Sequence, residues 1–174
     1  MDPKSPPHPP ISSTVPDWSR ETPRKFWDPS RKLIRSIRKY QRAREKRGIL
    51  HRLISKRWVF EHRFWSVVTQ AEISLDSDIG GGVLLPHPNG VVIHPGAVIG
   101  PNSLIFQQVT IGVRAGAEHP PIIGGHVDIG AGAKILGAVH IGDHAAIGAN
   151  AVVLKDVPAA AVAVGIPARI LGEK

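Results

Sequence analysis

The histidines of this sequence are its strongest candidates for proton transfer or metal binding, because nine are present and cysteine is absent. His87 and His119 each lie where a regular repeat is interrupted. A histidine titrates near neutral pH and can take a proton from a hydroxyl group. The two side chains are therefore candidate general bases. The alternative is that they are loop histidines that bind backbone groups.

The elements that must position these histidines come from a six-residue repeat. Three hexapeptides make one triangular coil, and stacked coils form a parallel β-helix with an aliphatic core. We therefore predict an all-β fold, a left-handed parallel β-helix preceded by a short, basic α-helical region, with the hand taken from hexapeptide-repeat proteins in general. The repeated branched aliphatic residues are Ile93, Ile99, Ile105, Ile111, Ile123, Ile129, Ile135, Ile141, Ile147 and Val153.

Two irregularities interrupt the repeat. An upstream series is two residues out of phase with Ile93, and the slip falls at residues 86–90, which include His87. The aliphatic pattern is also absent between Ile111 and Ile123, although the residues of one hexapeptide are present. This predicts an extruded loop at residues 113–121 that carries His119. Loops on rigid scaffolds often carry function. The upstream series is Ile73, Ile79, Leu85 and Val91.

His126 and His144 form a second candidate pair. They are one coil apart in the repeat, so they are expected to stack about 5 Å apart on one face, with Gln108 in the same column. Such a pair could bind a metal, as in the γ-class carbonic anhydrases, but no clear third histidine accompanies it. A surface ladder without a ligand is the simpler interpretation.

The basic charge is confined to the N-terminal part of the chain. Residues 1–63 have a net charge of +11 and residues 64–174 a net charge of −3. Eight prolines predict a disordered tail at residues 1–30, and apolar spacing predicts basic helices at 31–70, with the β-helix at 71–174. The simplest interpretation packs the apolar helix faces on the β-helix. Weak contact of residues 31–63 with an anionic membrane is the alternative, and no nucleic-acid-binding motif is present.

From about Ala71 to Gly172 the chain resembles the serine acetyltransferases. The resemblance is in the stretches 85–93, 108–112, 129–137 and 165–170, together with the His119-Pro120 dipeptide. It implies direct transfer of acetyl from acetyl-CoA to an acceptor hydroxyl. By this resemblance His87 is the general base, Glu72 the acid that orients it, and His119 a residue that positions the acceptor.

The resemblance also implies a binding site and an assembly. Coenzyme A is expected between the β-helices of a homotrimer, and no metal is expected. No signal peptide or membrane span is apparent, so a cytoplasmic location is the default. The chain ends soon after Gly172, so we expect no C-terminal tail for docking on cysteine synthase. The cofactor-binding candidates are Ala131 and Ala149 by resemblance, and Lys134, Lys155 and Arg169 by their charge.

Two departures from the family leave the acceptor open. Pro86 stands where the family has an acidic residue before the first histidine, and Glu118 stands where it has an arginine before the second. The reversed charge at Glu118 disfavours an amino-acid carboxylate. Serine and a sugar or polysaccharide unit are therefore both candidate acceptors. A γ-carbonic anhydrase-like metalloprotein and a non-catalytic scaffold are the alternatives from other functional classes.

Overall fold

Three faces of short parallel strands form the main body of this computed structural model, which describes residues 11–46 and 48–172. Face A contains β1 (Glu72–Ile73), β3 (Val92–Ile93), β6 (Thr110–Gly112), β9 (Lys134–Leu136) and β12 (Val152–Val153). Face B contains β2 (Asp78–Ile79), β4 (Val98–Ile99), β7 (Ile122–Ile123) and β10 (His140–Ile141). Face C contains β5 (Leu104–Ile105), β8 (Asp128–Ile129), β11 (Ala146–Ile147), β13 (Val162–Gly165) and β14 (Ala168–Ile170).

The predicted β-helix is confirmed as a parallel β-solenoid, and the chain visits faces A, B and C in turn. Only β14 runs antiparallel among the named strands, because it forms a hairpin with β13. We name the three edges of this prism by the faces they join: the AB edge, the BC edge and the CA edge. The repeated aliphatic side chains point inward, and Ile105, Ile111 and Ile129 are fully buried. A core of this kind derives its stability from stacking identical units.

The strand register confirms both irregularities in the repeat. Lys134 pairs with Val152, which is the regular spacing of eighteen residues. Glu72 pairs with Val92, so the first coil is two residues longer, and the extra length falls at residues 86–90. Thr110 pairs with Lys134, so this coil is six residues longer and accommodates the loop 113–121.

The longer coil changes one predicted column of residues. His126 and His144 stack on the BC edge as predicted, but Gln108 does not continue that column. Gln108 lies on the CA edge, where its backbone N–H donates to the Asn89 carbonyl at 2.9 Å. Because the coil with the loop is 24 residues long and not 18, Asn102 is the residue below His126 on the BC edge. The His126 N–H accordingly donates to the carbonyl of Pro101, next to Asn102, at 2.7 Å.

Two helices precede the solenoid, α1 (Pro29–Glu45) and α2 (Ile49–Thr69). The apolar residues Leu33, Ile34 and Ile37 of α1 are buried against the first coil, as predicted. The corresponding prediction for α2 is wrong, because Leu53 is 58% exposed and Ile54 is 37% exposed. Helix α2 packs along α1 instead and leaves an apolar surface uncovered.

Helix α2 is attached to the solenoid near its C-terminal end. The His62 Nε2–H donates to the Ile73 carbonyl at 2.9 Å, and the Trp65 side chain is buried. Burial lowers the pKa of His62, although its hydrogen bond to Ile73 acts in the opposite direction. The neutral ring is therefore favoured at this contact.

Residues 11–28, which we call the N-terminal segment, differ from the predicted disordered tail. The first part of this segment runs along the BC edge, and the first ten residues of the predicted tail lie outside the described residues. The buried Asn102 side chain accepts from the Asp17 N–H at 2.8 Å and donates to the Ser12 and Val15 carbonyls. Fixed partners for these backbone groups explain why a proline-rich stretch is ordered here.

A buried ion pair fixes the middle of the N-terminal segment, at a short 3-10 helix (Trp18–Glu21) that precedes α1. Arg38 of α1 donates to both carboxylate oxygens of Glu21, at 2.8 and 3.1 Å, and to the carbonyls of Ile79 and Gly80. Glu21 also accepts from the Gly82 N–H. One guanidinium therefore joins the N-terminal segment, α1 and the first coil.

Candidate active site

His87 lies at the CA edge, in the turn that the two-residue slip creates. Its side chain is exposed and has no hydrogen-bond partner among the described residues. The turn itself is fixed, because the Gly90 N–H donates to the Gln70 carbonyl at 2.9 Å and the Asn89 amide donates to the Gln70 side chain. A firmly held turn thus presents a free imidazole.

A cleft of about 890 Å³ opens beside His87. One wall is the stretch from Arg24 to Arg31, another is the end of α2, and the floor is formed by residues 84–89. The Ser30 hydroxyl donates to the Leu85 carbonyl at 2.6 Å, which joins the start of α1 to the floor. A cleft of this size can hold a small-molecule ligand.

Glu72 and His87 form no hydrogen bond with each other among the described residues. Glu72 is exposed on β1, two residues after Gln70, on which the His87 turn rests. No hydrogen bond or ion pair of Glu72 is found within the described residues. Catalytic hydrogen bonds are often long in unliganded proteins, so the orienting role of Glu72 stays a prediction.

His119 lies on a different edge from His87. The loop 113–121 leaves β6 on face A and returns to β7 on face B, so it projects from the AB edge. The exposed His119 ring donates from Nδ1 to the Pro120 carbonyl at 2.9 Å, which leaves Nε2 available. Face A separates the two histidines, and a hexapeptide side spans roughly 20 Å. One chain therefore does not bring them together.

The predicted cofactor residues fall on the same two edges, with two exceptions. Ala131 and Ala149 lie on the CA edge, as His87 does, and neither is buried. Lys155 is exposed on the AB edge, as is the His119 loop. Lys134 is on face A, where its ammonium donates to the Gln108 carbonyl and the Thr110 hydroxyl, and Arg169 is exposed on β14.

His126 and His144 stack on the BC edge, away from the cleft. Their ring centroids are 5.0 Å apart, as predicted, and their Nδ1 atoms share a hydrogen bond of 2.9 Å. Among residues 11–46 and 48–172, no group of three or more His, Cys, Asp or Glu residues could hold a metal ion. The pair is an exposed ladder on this edge.

One wall of the cleft is not predicted by the sequence. Arg24, Lys25, Trp27 and Asp28 line it, although this stretch was predicted to be disordered. The Asp28 carboxylate accepts from the Arg24 N–H at 3.0 Å and pairs with Arg31 at 3.4 Å. The Asp28-Pro29 pair was an available signal, since proline at the first helical position often follows a capping residue.

Comparison with known proteins identifies many similar serine acetyltransferases. Chloroplastic serine acetyltransferase 1 of Arabidopsis thaliana is 46% identical over 135 residues, 71% of this chain and 43% of that protein. Serine acetyltransferase of Escherichia coli K12 is 44% identical over 110 residues, 62% of this chain and 40% of that protein. The chain thus spans less than half the length of these relatives. No protein-family model matches it.

Solved structures give the same result. Serine acetyltransferase of Brucella abortus in complex with coenzyme A has a TM-score of 0.71 and 31% identity, over 85% of this chain and 58% of that one. Soybean serine acetyltransferase complexed with serine has a TM-score of 0.67 and 36% identity, over 80% of this chain and 56% of that one. The likeness therefore includes the solenoid and extends into the preceding helical region.

Proposed function

We propose, on the premise that this chain is a partial-length relative of the serine acetyltransferases, that it is an acetyl-CoA-dependent O-acetyltransferase with His87 as general base. The observation that carries the proposal is the unpaired His87 imidazole at the mouth of a large cleft, on the same edge as Ala131 and Ala149. The proposed base, the cleft and the two small residues proposed to contact the donor thereby share one edge.

The proposed reaction is a direct transfer. The acceptor oxygen attacks the thioester carbonyl carbon of acetyl-CoA while His87 takes the hydroxyl proton. The carbon–sulfur bond then breaks, and the thiolate leaves with the proton that His87 had accepted. Glu72 orients the ring and stabilises the imidazolium, in the way that a carboxylate supports a catalytic histidine elsewhere. Positioning and oxyanion stabilisation supply the rest of the rate enhancement.

Turnover tests the proposal directly. Thiol release from acetyl-CoA is measured with serine and then with a panel of sugars, since serine and a sugar or polysaccharide unit are both open as acceptors. Release that depends on one of these acceptors supports the enzyme. A chain that fails to bind coenzyme A in a thermal-shift assay and releases no thiol is a scaffold instead. A cytoplasmic location stays a prediction.

The separation of the two histidines supports a homotrimer as the working form. His87, Ala131 and Ala149 lie on the CA edge, whereas His119 and Lys155 lie on the AB edge. In a ring with three-fold symmetry, one edge of each copy can meet a different edge of the next. The catalytic base of one copy and the loop of its neighbour would then face the same acceptor and the same coenzyme A.

Mixed assemblies are expected to recover activity. His87→Ala and His119→Ala are each expected to be weakly active alone, but coexpression should create sites in which both histidines are native, about a quarter of all sites by random mixing. The measurement is acetyl transfer by purified mixed oligomers of confirmed trimer mass. Mixtures of either variant with itself are the controls. Activity of the mixed oligomers no higher than that of the parents contradicts a shared site.

The uncovered surface of α2 supports a membrane contact, which we propose to be with an anionic bilayer. Its exposed apolar side chains recur on one helical face, which we call the α2 stripe. Lys56, Arg57 and Arg63 are exposed on the same helix, whereas its acid Glu61 is paired with Arg35 at 2.6 Å. Apolar and basic groups together are typical of helices that lie in a membrane interface. The α2 stripe contains Ile49, Leu53, Phe60, Phe64 and Val67.

Vesicle binding is expected to depend on the α2 stripe. The chain should sediment with vesicles that contain about 30% phosphatidylserine, and the double variant Phe60→Ser/Phe64→Ser should bind at least about 10-fold more weakly. Leu171→Ser, which removes a side chain that is 61% exposed at the far end of the solenoid, is the matched control. Equal binding by both variants refutes the contact.

No helix in the described part of the chain is long and apolar enough to cross a bilayer.

A further inference from the structure

We infer that the acceptor carries a phosphate or diphosphate group, and that Arg24 and Lys25 bind this group while His87 acts on a hydroxyl of the attached sugar. The inference rests on the proposed acetyl transfer and specifies the acceptor class for the same cleft. The residues concerned lie in the wall of the cleft that is formed by the N-terminal segment and the start of α1.

The cleft has an excess of positive charge. Arg24, Lys25 and Arg31 line it, and Asp28 is the single acidic residue among the residues that line it. Asp28 forms an ion pair with Arg31, at 3.4 Å. The side chains of Arg24 and Lys25 are exposed and form no ion pair within the described residues. Within the described part of the chain, Arg24 and Lys25 therefore line the space beside the proposed base without a counter-charge.

Free cations of this kind favour phosphate. An arginine binds a phosphate through two parallel N–H donors, and a neighbouring lysine adds a compact charge. The residue next to the other candidate histidine has the opposite charge, because Glu118 precedes His119 in the loop 113–121. An anionic part of the acceptor is therefore repelled at the loop and attracted at the N-terminal wall.

The remaining lining of the cleft suits a sugar. Trp27 lines the cleft, is 59% exposed and packs against Trp65 in a T-shaped contact with the ring centroids 5.5 Å apart. This contact holds the indole in place and leaves more than half of its surface uncovered. Leu84, Pro86 and Val68 add apolar surface. A volume of about 890 Å³ exceeds what a single amino acid needs and accommodates a sugar with its phosphate.

The proposed step is balanced without a further reactant. A sugar hydroxyl oxygen forms the new bond to the acetyl carbonyl carbon, and its proton passes to His87. The thioester carbon–sulfur bond breaks, and coenzyme A leaves as the thiol after taking that proton. The phosphate ester of the acceptor is not broken, so the products are an acetylated sugar phosphate and coenzyme A.

The experiment compares neutral and phosphorylated acceptors. Acetyl transfer is measured with N-acetylglucosamine, N-acetylglucosamine 1-phosphate, UDP-N-acetylglucosamine and serine. Binding of the same compounds to the coenzyme A complex is measured by calorimetry, so that the anion site is tested even without turnover. The test variant is Arg24→Gln/Lys25→Gln. The matched control is Lys39→Gln/Arg42→Gln, which removes two exposed charges from α1 outside the cleft.

The expected result is tighter binding of a phosphorylated acceptor, by about 10-fold or more over N-acetylglucosamine. Inorganic phosphate should compete, and the Arg24→Gln/Lys25→Gln variant should lose that preference through KM while the control retains it. Turnover of neutral acceptors or serine with no phosphate preference overturns this inference and leaves acetyl transfer intact. Phosphate preference in binding without any turnover supports the anion site and refutes the proposed enzyme.

Discussion

Replacing His87 with alanine is expected to lower kcat for acetyl transfer by about 10²- to 10⁴-fold, the contribution typical of a general base. The reason is that no imidazole then remains at the mouth of the cleft to take the proton of the substrate hydroxyl. The measurement is thiol release from acetyl-CoA at saturating concentrations of both substrates.

The matched control for this variant is His140→Ala. His140 is also exposed, but it lies on β10 of face B, and its backbone N–H bond to Asp156 does not involve the ring. Its kcat should stay within about twofold of the native value. Binding of coenzyme A should be unchanged in both variants, since neither replaces Ala131 or Ala149, the residues proposed to contact it. Full activity of His87→Ala would falsify the assignment of the base.

Replacing Glu21 with alanine is expected to lower the free energy of unfolding by about 3 kcal/mol, because it leaves the buried Arg38 guanidinium without its counter-charge. Glu21 is 7% exposed and the Arg38 side chain 13% exposed. The corresponding fall in Tm is about 6–12 °C for a domain of this size. The measurement is thermal unfolding followed by circular dichroism.

The same variant should also change the acceptor site. Glu21 fixes the middle of the N-terminal segment, and the last part of that segment, Arg24 to Asp28, forms one wall of the cleft. A less ordered wall should raise KM for the acceptor more than it lowers kcat.

Two controls separate the buried pair from a general effect of charge. Arg44→Ala removes an exposed pair with Asp76 and should leave the free energy of unfolding close to that of the native protein, because solvent screens an exposed pair. Glu21→Leu/Arg38→Met removes both buried charges and should recover much of the lost stability, because no unpaired charge remains. A Glu21→Ala protein as stable as the Arg44→Ala control would show that the N-terminal segment contributes little.

The sequence alone determined the solenoid and its two interruptions. A six-residue period of Ile and Val has few structural solutions, since every coil repeats the same local packing. The slip at His87 and the loop with His119 could be located by counting, because each is a departure from a strict period. The pair His126 and His144 was also found by counting, whereas Gln108 was misplaced when the count crossed the loop.

Only the tertiary structure decided what surrounds His87. The stretch from Arg24 to Asp28 has no period and many prolines nearby, so its order depends on Asn102 and Arg38, which are distant in sequence. The position of His119 on another edge follows from which faces the loop connects. The exposure of α2 follows from α1 occupying the base of the first coil. Contacts between residues far apart in sequence leave no periodic signal, and for this reason the repeat predicted the scaffold while the fold supplied the cleft.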